Sequence, residues 1–383
     1  MRAGAAFLAA IMSSPALAAA PGPGTHDLMP APASLEWRTG RLDLRGAVRL
    51  ASTGAADPRV GAALERAARR LSRLSGVRAT AVGRAEGAAV VVSAAAASAP
   101  IPQLGEDESY TLEVDARQAR IAAPTTRGAL HGLETLLQLA REEQGRAHVP
   151  AVRIEDRPRF PWRGLMIDPC RRWQPVEVVR RTLDAMAAVK MNVLHWHLSE
   201  DQGFRIESRV YPLLHQKASD GLFYTQEQAK EVIAYAAERG IRVVPEFDVP
   251  GHSTSWLVAY PELGSAPGPF ELERRWGIFD NNLDPSKDEV YAFLDRFFGE
   301  MAALFPDPYF HIGGDEVTPR QWNANDRILD YMYRNRLGDM HDLQAHFNGR
   351  VNASLGKQGK RMVGWDEILD PALPKDIVIH SWR

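Results

Sequence analysis

The sequence predicts an α/β protein built on a parallel sheet and preceded by a small mixed domain, and three observations carry that reading. From Arg157 onward, short apolar runs alternate with longer stretches of helical periodicity, as parallel strands joined by crossover helices require. Clusters of His, Arg, Trp and carboxylates close nearly every one of those runs, and the C-terminal ends of parallel strands are where such sheets keep their chemistry. Before Val149, strands and helices mix without any reactive grouping.

Length and composition suit that division. At 383 residues and 45% hydrophobic, the chain has room for one large barrel plus an accessory unit. Lys+Arg (46) and Asp+Glu (48) nearly balance, so neither nucleic acid nor an anionic membrane surface is expected as a partner; a neutral or small polar ligand fits better. The single cysteine, Cys170, excludes an intramolecular disulfide and a multi-cysteine metal site.

Taken in order, residues 1–20 set one early Arg ahead of an apolar run from Ala5 to Met12, then Pro15 and small residues around Ala16-Leu17-Ala18. That order is a secretory signal with its cleavage site, whereas a plain Ala-rich helix has no use for it. No other stretch approaches the ~18 apolar residues of a membrane span, so an exported protein, periplasmic or secreted, is expected. After a Pro/Gly linker, the accessory domain is assigned to residues 25–150. Val60, Leu64, Leu71 and Leu74 mark an amphipathic helix stopping at Gly76; residues 88–92, 110–114 and 120–122 read as strands with a turn at 115–119, and 128–140 as a second helix.

Residues 157–383 are assigned to the catalytic unit, with strands at 164–167, 192–198, 241–247, 309–312, 361–364 and 377–380. Thr225 with Gln228, and Ser286 with Glu289, read as capping boxes that open helices. In the second helix Val290, Phe293, Leu294, Phe297, Phe298, Met301 and Leu304 share one face and are read as core.

The strand ends hold, in turn, Asp168 with Arg171; His195, His197, Glu200 and Asp201; Glu246, Asp248 and His252; Asp315 and Glu316; Trp365, Asp366 and Glu367; and His380 with Trp382. One polar loop is ordinary, but several in register are not. Arg and carboxylates to bind hydroxyls, with indole faces to cover a pyranose, are the equipment of a sugar site. The pair Asp315-Glu316 follows Gly313-Gly314, and glycines allow a bend that turns both carboxylates to one cavity; the plain alternative is a solvated acidic turn.

The segments Arg163 to Asp168 with Arg171, His195-Trp196-His197-Leu198-Ser199-Glu200-Asp201-Gln202-Gly203, Pro245 to His252, and His311 to Val317 resemble, in that order, the β-N-acetylhexosaminidases of glycoside hydrolase family 20. The resemblance runs from about Leu28 to the C-terminus and implies a (β/α)8 barrel behind a small α/β domain. It implies a retaining exo-glycosidase that releases terminal β-linked N-acetylhexosamine from glycans or chitooligosaccharides without cofactor or metal. In that scheme Glu316 is the general acid and base, with a raised pKa, and the substrate's acetamido oxygen attacks the anomeric carbon to give an oxazolinium. Asp315 orients the acetamido nitrogen, Asp248 and His252 form a relay behind the acid, Arg171 and Asp201 grip sugar hydroxyls, and Trp365 and Trp382 wall the pocket. Glu200 stands where the family usually has Asp, and Pro169-Cys170 replaces a small apolar pair. The resemblance also implies a barrel truncated after about six strands, without a Tyr, Asp, Trp and Glu that family members carry further on.

Two other readings remain open on sequence. One is a sugar-binding chain that hydrolyses little or nothing. The other is a metal-dependent barrel hydrolase, for which His195-x-His197 on one strand face would join Asp248, His252, His311 and Asp315.

Overall fold

The computed structural model describes residues 26–383, so the expected leader at 1–20 lies outside the described residues. Two sheets organise the molecule, one for each predicted unit. The first is mixed and eight-stranded, its long strands Ser34–Leu44 and Arg146–Asp156 pairing antiparallel, with helices Pro58–Leu71 and Thr126–Leu139 packed against it. Its last strand runs to Asp156, past the expected boundary at 150. Sequence reading left out five of its strands, Ser34–Leu44, Gly46–Gly54, Val77–Ala81, Arg141–Glu143 and Arg146–Asp156. The first is mostly exposed, with charged residues spread along it, so its apolar alternation is faint.

The second sheet is parallel, with six strands in the order Gly164–Ile167, Val193–His197, Arg242–Glu246, Tyr309–His311, Arg361–Trp365 and Val378–His380. Each adjacent pair follows chain order, and the connecting segments carry helices, which is the (β/α) barrel architecture. Period-two alternation sorts the side chains. On the strand Val193–His197, both His195 and His197 reach the Glu246 carboxylate on the inner face. Trp196 between them packs outward against Tyr224 and Phe305. Phe247 and Phe310 likewise meet Phe297 and Phe298 of helix Asp288–Leu304, so the apolar core lies between sheet and helices while the interior stays polar.

Thr225 and Gln228 form the expected capping box of helix Gln226–Glu238. The second expected box does not form. Lys287 occupies the cap of Asp288–Leu304, and the Ser286 hydroxyl donates to Asp284 at 2.6 Å instead. Between the sheets runs a buried polar seam: Lys190 Nζ donates to Tyr110 Oη at 2.8 Å and Asp156 Oδ2 at 2.9 Å, while Glu108 receives Arg163 and, at 3.0 Å, Asn192. Among the described residues no helix is long and apolar enough to cross a membrane.

Candidate active site

The strand Tyr309–His311 leaves the sheet through Gly313 and Gly314, at φ 67° and 86°, and Glu316 sits at φ 50°. A Cβ at Gly313 would collide with the Asp248 carboxylate, so the backbone conformation and the space both require glycine. Outer contacts pin the turn: the Trp365 backbone N–H donates to the Gly313 carbonyl at 2.9 Å, and Gln344 Nε2 to that of Gly314 at 2.7 Å. Two neighbouring carboxylates that a regular strand would point apart are thus both turned toward His252. Its Nε2 lies 3.7 Å from Asp315 Oδ2 and 3.4 Å from Glu316 Oε2.

The other ring nitrogen of His252, Nδ1, lies 2.8 Å from Glu200 Oε1 and 3.2 Å from Asp201 Oδ2. Ionised carboxylates only accept, so Nδ1 donates to Glu200 and Asp201, and with two further carboxylates facing Nε2 the ring is favoured in its positively charged form. Burial opposes that charge, but Glu200 and Asp201 outweigh it and hold the His252 pKa well above the ordinary range. Nε2 is fully buried and committed to neither Asp315 nor Glu316. Such lengths are ordinary for a proton donor before a substrate tightens the site.

Several expectations shift here. The expected His252–Asp248 pair does not form, because Glu200 and Asp201 from another loop take Nδ1. Asp248 accepts instead from Gly314 N–H at 3.0 Å and faces Asp315. Burial, and then the Asp315 charge, push the Asp248 pKa well up. Burial first, with Glu246 adding to it against the pull of His252, brings Asp315 to about 6. Two carboxylates this close and this buried share a proton. The raised pKa expected of Glu316 is overturned: the facing His252 imidazolium holds it below the usual range, outweighing partial burial, and Arg171 assists. Asp201 does not open toward a ligand. Its Oδ1 accepts from Thr254 N–H at 3.0 Å and Oγ1–H at 2.6 Å, so it supports His252 from behind.

Arg171 ties two loops together, with Nη1 2.8 Å from Asp168 Oδ2 and Nη2 3.1 Å from Glu200 Oε2. Its guanidinium lies 5.6 Å from the ring of Trp276, a 78% exposed indole on a loop whose importance sequence reading missed. Trp365 donates its N–H to Glu246 Oε1 at 3.0 Å and stacks on His380 at 4.4 Å. Trp382 lies 6.4 Å from Trp365, bonds Glu367 through its N–H, and lines a cavity of about 580 Å³ shared with Glu316, Ile278 and Gln344.

Below these residues the polar interior continues. Glu246, fully buried, has His195 Nε2 at 2.7 Å, His197 Nδ1 at 2.6 Å and His311 Nδ1 at 3.2 Å. His197 Nε2 in turn lies 3.1 Å from Glu200 Oε2. Sequence reading placed Glu246, His197 and Glu200 at strand ends, gave Glu246 and Glu200 no role, and gave His197 one only as a ligand in the metal reading. The available signal was the register, which sets His197 directly beside Glu246 on the neighbouring strand. Of the groups with ligand atoms within 4.8 Å of one another among the described residues, those containing His252 or His197 are Asp168, Cys170 and His197; Glu200, Asp201 and His252; and Asp248, His252 and Asp315. His195, His311 and His380 form the remaining group.

This arrangement defines an acid–base site at the strand ends of a parallel α/β barrel. The comparisons with known proteins make that class specific. The model of the glycosyl hydrolase family 20 catalytic domain matches residues 160–383, and that of family 20 domain 2 matches residues 25–157. A beta-hexosaminidase of Porphyromonas gingivalis is 40% identical over 294 residues, covering 73% of this chain and 38% of that protein. The crystal structure of the Flavobacterium johnsoniae chitobiase superposes with a TM-score of 0.89 at 43% identity, covering 93% of this chain and 55% of that one. An exo-β-N-acetylglucosaminidase of Vibrio harveyi, solved with N-acetylglucosamine, gives 0.80 at 30% identity, over 93% of this chain and 57% of that one. The chain belongs to glycoside hydrolase family 20, and it spans about 40 to 60% of the length of these relatives.

Proposed function

We propose that this chain carries the acid–base centre of a retaining exo-β-N-acetylhexosaminidase, releasing terminal N-acetylhexosamine from β-linked glycans or chitooligosaccharides by substrate-assisted catalysis. The carrying observation is the division of labour between two adjacent carboxylates. Asp315 keeps a buried Oδ1 without a hydrogen-bond partner, suited to an acetamido N–H. Glu316, half turned to the cavity, stands against the protonated His252, suited to a glycosidic oxygen. Glycosidases with a protein nucleophile keep their two carboxylates about 5 Å apart across the scissile bond, whereas neighbours on one turn leave the nucleophile to the substrate.

In this reading Glu316 receives its proton from His252, passes it to the departing oxygen as the acetamido oxygen attacks, and takes a proton back from water in the second half. Asp315 stabilises the charge developing on the acetamido nitrogen. Arg171 holds sugar hydroxyls, and Trp365 and Trp382 flank the ring. The V. harveyi relative, solved with N-acetylglucosamine, supports the ligand class. The leader reading of residues 1–20 supports export, which cell fractionation of the full gene product tests.

The test is turnover of an aryl N-acetyl-β-glucosaminide by the chain. Glu316→Gln should lower kcat about 10²- to 10⁴-fold, the usual worth of a positioned general acid. Asp315→Asn should fall comparably with the fold intact; a near-normal rate there refutes substrate assistance. Calorimetric binding of N-acetylglucosamine without any turnover would favour the sugar-binding reading, and loss of turnover on exhaustive chelation would favour the metal reading.

A further inference from the structure

The distances run unbroken from the barrel interior to the acid. Glu246, His197, Glu200 and His252 are each at most 3% exposed. Neighbours in the series lie 2.6, 3.1 and 2.8 Å apart, and His252 ends 3.4 Å from Glu316. His197 has a carboxylate within hydrogen-bond distance of each ring nitrogen, so it donates twice and, like His252, is an imidazolium. The series therefore alternates in charge: Glu246 negative, His197 positive, Glu200 negative, His252 positive, Glu316 negative. We propose that Glu246 and His197 are positioning residues of the acid–base centre, acting through Glu200 to set how tightly His252 holds the proton that Glu316 needs. This deepens the function proposed above and rests on it.

The direction follows from the order of charges. Glu200 is compensated from three sides, by His197, His252 and Arg171. Removing the His197 charge leaves His252 as a larger share of that compensation, so its proton is held more tightly. Replacing Glu246 with Gln discharges His197 as well, because Glu246 supplies the charge that sustains it. The positive charge lost is nearer His252 than the negative one, so the net effect again tightens the proton. Other titratable groups face these residues and stay in place in either variant. They are Asp201, Asp248 and Asp315 around His252, Asp168 beside His197, and His195, His311 and His380 around Glu246. Glutamine at 246 also keeps an oxygen for the Trp365 N–H, so the pocket wall is not the variable.

The experiment compares the full chain with Glu246→Gln and, separately, His197→Gln. The His252 ring is followed by NMR with isotope-labelled histidine, and the pH profile of kcat/KM is measured on an aryl N-acetyl-β-glucosaminide. Both variants should raise the His252 midpoint and the basic limb by about one pH unit and lower kcat about tenfold with little change in KM. The double variant should shift no further than either single one, since both discharge the same ring. An unmoved His252 midpoint, or pH profiles that superimpose after scaling, overturns the proposal and leaves these residues a purely structural role. The NMR titration needs no substrate, so a chain without turnover would sink the proposed function while this inference was still decided.

Discussion

Asp315 has a consequence for stability that runs opposite to the usual carboxylate. Its folded pKa is about 6 and its ordinary value 3.8, so the folded state holds a proton that the unfolded chain gives up readily. The stability that proton contributes is complete below the ordinary value and is lost as pH rises through about 6. Asp315→Asn removes the titration and keeps the shape. It should raise the unfolding free energy, and Tm with it, progressively between pH 4 and pH 6, the gain levelling at about 2 kcal/mol above that, once coupling to Asp248 is allowed for. Thermal melts of the two proteins across that range check it. A constant difference would mean Asp315 does not titrate in the window.

At the scale of elements, the turn after Tyr309–His311 departs most from regular geometry. Gly313→Ala imposes a left-handed φ on a side chain and drives it into Asp248, and it should destabilise by about 2 kcal/mol or more and abolish turnover. Thr225→Ala, at the confirmed capping box far from the site, should cost about 1 kcal/mol and leave kcat alone. Chemical denaturation with a parallel activity assay separates the two. The same elements show what a reader could take from the residues. All six barrel strands fall within a residue or two of their expected spans, because continuous apolar runs bounded by polar ends signal buried parallel strands. Asp315, Glu316 and His252 are brought together as read. The partners of His252 were not legible, since Asp248 is close in sequence while Glu200 and Asp201 arrive from another strand end. The pKa of Glu316 was illegible for the same reason: a nearby carboxylate suggests repulsion, and only the fold puts an imidazolium between them.

For the whole molecule, the seam between the two sheets decides how they unfold. Lys190 belongs to the barrel, Tyr110 and Asp156 to the first sheet, and the ammonium is buried between them. Lys190→Met leaves Asp156 charged, buried and unpaired, a loss of about 3 to 5 kcal/mol. One calorimetric transition in the parent chain should become two in the variant; a single transition in both would show that the sheets are coupled by apolar contact instead.

The carboxylates gathered at His252 also bear on laboratory evolution. Asp248, Asp315 and the left-handed Glu316 are positions where neutral or conformationally relaxed residues would make the chain hardier at pH 7. A random library screened for heat resistance alone should therefore enrich substitutions at 248, 315 and 316, and those survivors should be the ones that no longer turn over substrate. Thermostable variants that still work must gain their stability elsewhere, and sequencing survivors with and without an activity screen would show the two populations parting at this turn.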